Sequence, residues 1–170
     1  MLKPLLGPEI LREIKSSGIR TIVSVPDITT SEGLLRPVAS DTEIRHVRVC
    51  KEDEGVSICA ALSYCGVRAL LMMQQTGMYD SVNAIRAIAA GYNLPVCMLI
   101  GLQGGVTGED PRSSEKHIVR CALPTLDAIE VDHQMLSYAP DVNKIVPAIN
   151  SAYELSKPIA FFVNGLLPPA

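Results

Sequence analysis

Short apolar runs alternate with longer amphipathic stretches along almost the whole of this sequence, and that alternation most restricts how it can fold. The runs fall at 20–26 (RTIVSVP), 43–49 (EIRHVRV), 68–74 (RALLMMQ), 95–101 (PVCMLIG), about 129–132 and 158–163 (PIAFFV). Runs this short, rich in aliphatic and β-branched residues, suit strands rather than helices. Between them, 7–18, 31–41, 51–66, 77–92, 115–127 and 141–156 carry helical spacing. In 7–18, Ile10, Leu11 and Ile14 share one face and Gly18 supplies a stop; in 77–92, Met78, Val82, Ile85 and Ala89 recur. Gly66 closes 51–66, and Pro37 should interrupt or end 31–41. About six such alternations predict an α/β fold, a roughly six-stranded parallel sheet with helices on both faces.

At 170 residues the chain is expected to form a single domain spanning 1–170. With no Trp and 4% aromatic residues, a two-sided core has to be filled by Ile, Val, Leu, Ala and Met. A net charge of −3 without a basic stripe argues against nucleic acid as a partner. Cys50, Cys59, Cys65, Cys97 and Cys121 form no C-x-x-C pair and read as small buried hydrophobes in a reducing compartment. His46, His117 and His133 are far apart in the sequence, so no metal site is expected. The N-terminal apolar run is too short for a signal peptide and no run approaches a membrane span, which predicts a cytoplasmic protein with no membrane partner.

In open α/β sheets, ligands bind outside the carboxyl ends of the strands. Here those ends are Val25-Pro26-Asp27, Val49-Cys50-Lys51-Glu52, Gln74-Gln75-Thr76-Gly77 and Gly101-Leu102-Gln103-Gly104-Gly105. No dinucleotide or P-loop fingerprint is present. Each residue at this edge has a plain structural reading beside a functional one. Glu52, Asp53 and Glu54 complement a helix dipole, and Asp27 suits an Asx cap or a Pro-Asp turn. Thr76 suits an N-cap, the run 104–108 (GGVTG) a flexible loop, and Arg112, Lys116 and His117 a solvated helix start.

The combination is more telling than any part. A V-P-D turn stands about 25 residues before E-D-E-G; a strand and Q-Q-T-G follow, then an N-A-I helix and an apolar strand ending in Gly. In order and spacing this resembles the pyrimidine-binding (PYR) domain of thiamine-diphosphate-dependent sulfopyruvate and phosphonopyruvate decarboxylases, over roughly residues 8–165. It is most like the stand-alone alpha subunit of sulfopyruvate decarboxylase. The resemblance implies a PYR-type thiamine-diphosphate-binding fold in a carboxy-lyase that acts on a small 2-oxo acid, 3-sulfopyruvate or phosphonopyruvate. It makes Glu52 the glutamate that bonds a ring nitrogen of the cofactor's aminopyrimidine, with Glu54 the competing candidate. It makes Asp27 an acid near the reacting carbon, and it assigns Pro26, Gln75, Thr76 and Gly77 to cofactor binding. Arg112, Lys116 and His117 are the candidates for an anionic substrate tail.

The family's G-D-G motif, followed some 25–30 residues later by Asn, holds Mg²⁺ and the diphosphate, and it is missing here. The resemblance therefore implies that a beta subunit carrying G-D-G…N holds Mg²⁺ and shares the cofactor with this chain. Two alternatives stay open: a subunit of another thiamine enzyme, acetolactate-synthase-like or transketolase-like, and a non-catalytic flavodoxin-like binding module.

Overall fold

The computed structural model describes residues 2–170. Its six strands are β1 (Thr21–Ser24), β2 (Arg45–Arg48), β3 (Ala69–Gln74), β4 (Cys97–Leu102), β5 (Asp132–Leu136) and β6 (Ile159–Asn164). They form one sheet in the order β2-β1-β3-β4-β6-β5, with every neighbouring pair parallel. The expected α/β fold is the one observed. In a flavodoxin-like order the fifth strand lies directly beside the fourth; here β6 separates them.

Burial follows position in the sheet. Every residue of β1, β4 and β6 is buried, as is all of β3 except Gln74, whereas β2 and β5 expose alternate or terminal residues. Central parallel strands must be apolar on both faces; edge strands stay short and polar, which discourages pairing with another chain. Arg45 and Arg48 on β2 and Asp132 and Gln134 on β5 serve that purpose.

Helix α1 (Gly7–Ser16), α2 (Arg36–Ser40) and α8 (Ile145–Leu155) cover one face, and their apolar residues cluster with Ile22, Leu70, Met72, Leu99 and Phe161. Helices α3 (Glu52–Tyr64), α4 (Gln75–Asp80), α5 (Val82–Ala84), α6 (His117–Arg120) and α7 (Ala122–Ala128) lie toward the other face, whose cluster contains Val23, Leu71, Met73, Ile100 and Phe162. Connections that move one way along the sheet thus carry helices on one face, and the two that move back carry them on the other. That is the consequence of right-handed crossovers. The direction changes at β1 and β3, which opens a crevice between their carboxyl ends.

Several elements differ from the sequence expectation. Pro37 marks an interruption of its helix and not its end: a π-helical turn over Ser31–Leu35 passes into α2, with Pro37 near the start of the new segment, where a missing N–H matters least. The stretch 77–92 begins earlier, at Gln75, and is broken at Ser81 before a π-helical turn over Ile85–Ala90 that keeps Ile85 and Ala89 against the sheet. Strand β5 starts later than expected because α7 is closed through a left-handed Glu130, with Glu130 N–H bonded to Asp127 O and Val131 N–H to Leu126 O. Of the cysteines, Cys59 and Cys97 are buried, but Cys50 and Cys65 are exposed and Cys121 lies between. No helix of the described residues is long and apolar enough to cross a membrane.

The chain's two phenylalanines, Phe161 and Phe162, are adjacent in β6, fully buried and assigned to opposite clusters. Phe161→Ala and Phe162→Ala should each lower unfolding free energy by about 3–5 kcal/mol in urea denaturation. Tyr64→Ala, at an exposed position, should change it by less than about 0.5 kcal/mol. Comparable losses for all three would contradict a core divided between two faces.

Candidate active site

Helix α3 starts directly after β2 and so brings its first residue to the carboxyl edge of the sheet. Lys51 is the N-cap. Two residues of the acidic triplet have local work. Glu54 accepts from the backbone N–H of Cys50 (3.2 Å) and Lys51 (3.3 Å), the returning half of a capping box. Asp53 accepts from the N–H of Glu54 at 2.9 Å. Glu52 is the exception. It is half-buried, and no hydrogen bond or ion pair engages its carboxyl group among the described residues. The carboxyl lies on the bare Cα of Gly77, where an added Cβ would fall on it.

Asp27 sits in an equivalent seat. It follows β1 by three residues, is 3% exposed, and its carboxyl group rests on Gly101 of β4, again where a Cβ would fall. One carboxyl oxygen accepts from Thr29 N–H at 2.6 Å and the other from the Thr30 hydroxyl. The Asx turn is therefore present, and its backbone carbonyl receives Ser31 N–H at 3.0 Å. Burial nonetheless holds the Asp27 carboxyl above the ordinary carboxylate range, outweighing the opposing hydrogen bonds from Thr30 and Thr29.

The third seat is the start of α4. Gln75 is fully buried, and its amide is committed to Gln103: Nε2 donates to the Gln103 carbonyl at 2.8 Å and Oε1 accepts its N–H at 2.9 Å. It clamps the ends of β3 and β4 together, with one donor and one acceptor of its amide engaged. Gln74 Nε2 donates to the Thr76 hydroxyl and to Gln103 Oε1, both at 2.8 Å. The N-cap of α4 is Gln74 and not Thr76, which is exposed, as is Pro26.

The three basic candidates do not gather. Arg112 pairs with Asp127 at 2.7 Å, Lys116 donates to the Gly104 carbonyl at 2.9 Å, and His117 Nε2 lies 3.5 Å from Cys121 Sγ. Only Lys116 is tied to the loop leaving β4. A residue passed over in the sequence is Asn164, buried at the end of β6, whose Nδ2 donates to Val106 O at 2.8 Å and Glu109 O at 3.0 Å. The signal for it was a polar residue, followed by Gly, closing an otherwise apolar strand. Among the described residues no group of three His, Cys, Asp or Glu side chains is placed to hold a metal ion.

The Asp27 environment has a measurable consequence. A raised folded-state pKa means that the native protein holds the proton more tightly than the unfolded chain. The associated stabilisation is complete below the unfolded value of 3.8 and is lost as pH rises through the folded one. Asp27→Asn is neutral throughout, so urea midpoints should show the wild type losing stability relative to the variant as pH climbs from 3.8 towards neutrality. Parallel profiles would mean that the carboxyl is not desolvated.

No family model matches the sequence. Curated relatives do. The sulfopyruvate decarboxylase subunit alpha of Methanococcus maripaludis is 23% identical over 158 residues, covering 92% of this chain and 93% of the relative. That of Methanocaldococcus jannaschii is 26% identical over 165 residues, covering 92% of each. That of Methanothermobacter thermautotrophicus is 32% identical over 91 residues, 54% of each chain. Two of these matches run nearly end to end, and all three agree in kind with a fold reached independently of them: over nearly its whole length the chain is similar to sulfopyruvate decarboxylase alpha subunits.

Proposed function

We propose that this chain is the pyrimidine-domain subunit of a two-chain, thiamine-diphosphate-dependent decarboxylase acting on 3-sulfopyruvate, releasing carbon dioxide and leaving the aldehyde. The observation that carries the proposal is the seat of Glu52. Its neighbours in the triplet cap the helix, while Glu52 alone presents a carboxyl group with no partner, at the crevice edge and against a residue with no side chain. An unpartnered, half-buried carboxyl fits the aminopyrimidine of thiamine diphosphate, which needs a proton-sharing group at a ring nitrogen.

When bound, the cofactor supplies a cationic ring that takes up the electron pair left as carbon dioxide departs. The chain's own residues do the rest of this half of the work. Glu52 holds a proton in a hydrogen bond to the ring and so sets its protonation state. Asp27 keeps its proton more readily than an ordinary carboxylate because it is buried, which suits delivery to a carbanion. Gly77 leaves the Glu52 carboxyl its place, and Pro26 and Thr76 border the same edge. Gln75 contributes by fixing the ends of β3 and β4. The diphosphate and Mg²⁺ are assigned to a beta subunit, in keeping with the relatives' designation as alpha subunits and with the missing G-D-G…N motif. That assignment makes the active enzyme a hetero-oligomer in the cytoplasm.

In the complex assembled with a beta subunit, Glu52→Gln should lower carbon dioxide release by at least about a hundredfold, the scale of a lost acid–base group. Gly77→Ala should do comparable damage by displacing the same carboxyl, with the thermal midpoint of the chain little changed. Glu54→Gln should leave turnover nearly intact and change stability by less than about 1 kcal/mol, because the Gln side-chain oxygen can still accept from the Cys50 and Lys51 N–H groups. Turnover by the single chain with only cofactor and Mg²⁺ added would overturn the two-subunit proposal.

A further inference from the structure

We infer that Asn164 is a positioning residue. It fixes the glycine-rich loop 104–109 as the wall of the crevice met by the non-reacting, anionic end of the 2-oxo acid, an assignment that rests on the decarboxylase reading above. The loop leaves the carboxyl end of β4, the strand that carries Gly101 and the Asp27 seat. Its approach is held on the crevice side by the Gln75–Gln103 clamp, and Lys116 ties down Gly104. Beyond Gly104, Asn164 joins the loop to the sheet. Both N–H groups of its amide are used, one on Val106 O and one on Glu109 O, so a single side chain spans the loop's two halves. The loop answers with the Thr107 hydroxyl, which donates to Asn164 O at 3.1 Å.

Two details say that this is more than loop packing. Asn164 Oδ1 is buried with no hydrogen-bond partner, pressed against Gly105 where a Cβ would strike it. An unpaired buried acceptor is unfavourable, and Oδ1 is the part of this side chain that the loop's own hydrogen bonds leave unused. In addition, the N–H groups of Val106, Thr107 and Gly108 meet no acceptor among the described residues, while Gly105 N–H is bonded to Leu102 O at the end of β4 and Glu109 N–H to Val106 O. A run of free backbone donors held in one shape is suited to oxyanions. It stands at the edge where Arg112, Lys116 and His117 fail to gather.

The test uses Asn164→Ala and, as a variant at an exposed position that spares the core, Thr107→Val. In the assembled complex, Asn164→Ala should raise KM for 3-sulfopyruvate at least about tenfold, with kcat within about threefold and the affinity for thiamine diphosphate unchanged. Thr107→Val should shift KM in the same direction by less. A loss of kcat and cofactor affinity with KM unmoved would overturn the assignment, as would unaltered kinetics in both variants. Should Asn164→Ala fail to fold, Thr107→Val carries the same test. Limited trypsin cleavage after Arg112 and Lys116 in the single chain reads the loop without reference to any reaction, and it should be faster in both variants. Faster cleavage together with a wild-type complex that releases no carbon dioxide would remove the decarboxylase reading, and with it the loop's substrate role, while leaving the pin in place. Unchanged cleavage would remove the pin itself.

Discussion

A carboxyl group can lie where Glu52 lies only because residue 77 has no side chain. The first turn of α3 and the start of α4 approach each other at the carboxyl edge of the sheet, and any Cβ at Gly77 would occupy the space of the Glu52 carboxyl. The same device recurs one strand away, where Asp27 rests on Gly101. Two acidic side chains are thereby pressed into the edge of an apolar sheet at places that core packing would fill with aliphatic carbon. Burial opposes charge on a carboxyl group, and at Asp27 that opposition prevails over its hydrogen bonds. Proton delivery suits a group in the condition of Asp27.

The sheet order determines why these groups meet. Because β2 lies outside β1 and the chain then crosses to β3, the starts of α3 and α4 and the turn after β1 open on one crevice. The buried central strands make that edge rigid, and Gln75 reinforces it by binding both backbone groups of Gln103. On the same edge Ile28 and Leu166 are more than half exposed. A partner that closes the crevice would cover such side chains, which is consistent with a site completed between two chains.

Much of this could be read in the sequence, and the exceptions have physical reasons. Strands were legible because buried parallel strands must be continuous apolar runs, and the starts of α1 and α3 matched their signals closely. Helix ends were legible where glycine takes the left-handed position, as at Gly18 and Gly66. They were hidden where Asn93, Glu130 and Ser156 take it instead, which is why β5 was placed too early. Spacing singled out Glu52 and left Glu54 as a rival; the capping bonds of Glu54 separate them. The clamp made by Gln75 could not be read in the sequence, because its partner Gln103 lies 28 residues away. The basic residues 112, 116 and 117 are neighbours in sequence only, since Arg112 turns to Asp127 and His117 to Cys121. Asn164 was overlooked because its partners, Val106 and Glu109, lie more than fifty residues away.

The central claim is that the Glu52 carboxyl sets the protonation state of the cofactor's ring. It is tested most directly by the rate at which the thiazolium C2 proton of thiamine diphosphate exchanges for deuterium in the assembled complex, followed by proton NMR without substrate. Exchange should be slowed by about a hundredfold or more in Glu52→Gln and left near the wild-type rate in Asp27→Asn and Glu54→Gln. Equal exchange rates in the wild type and Glu52→Gln, with the cofactor bound in both, would contradict the account.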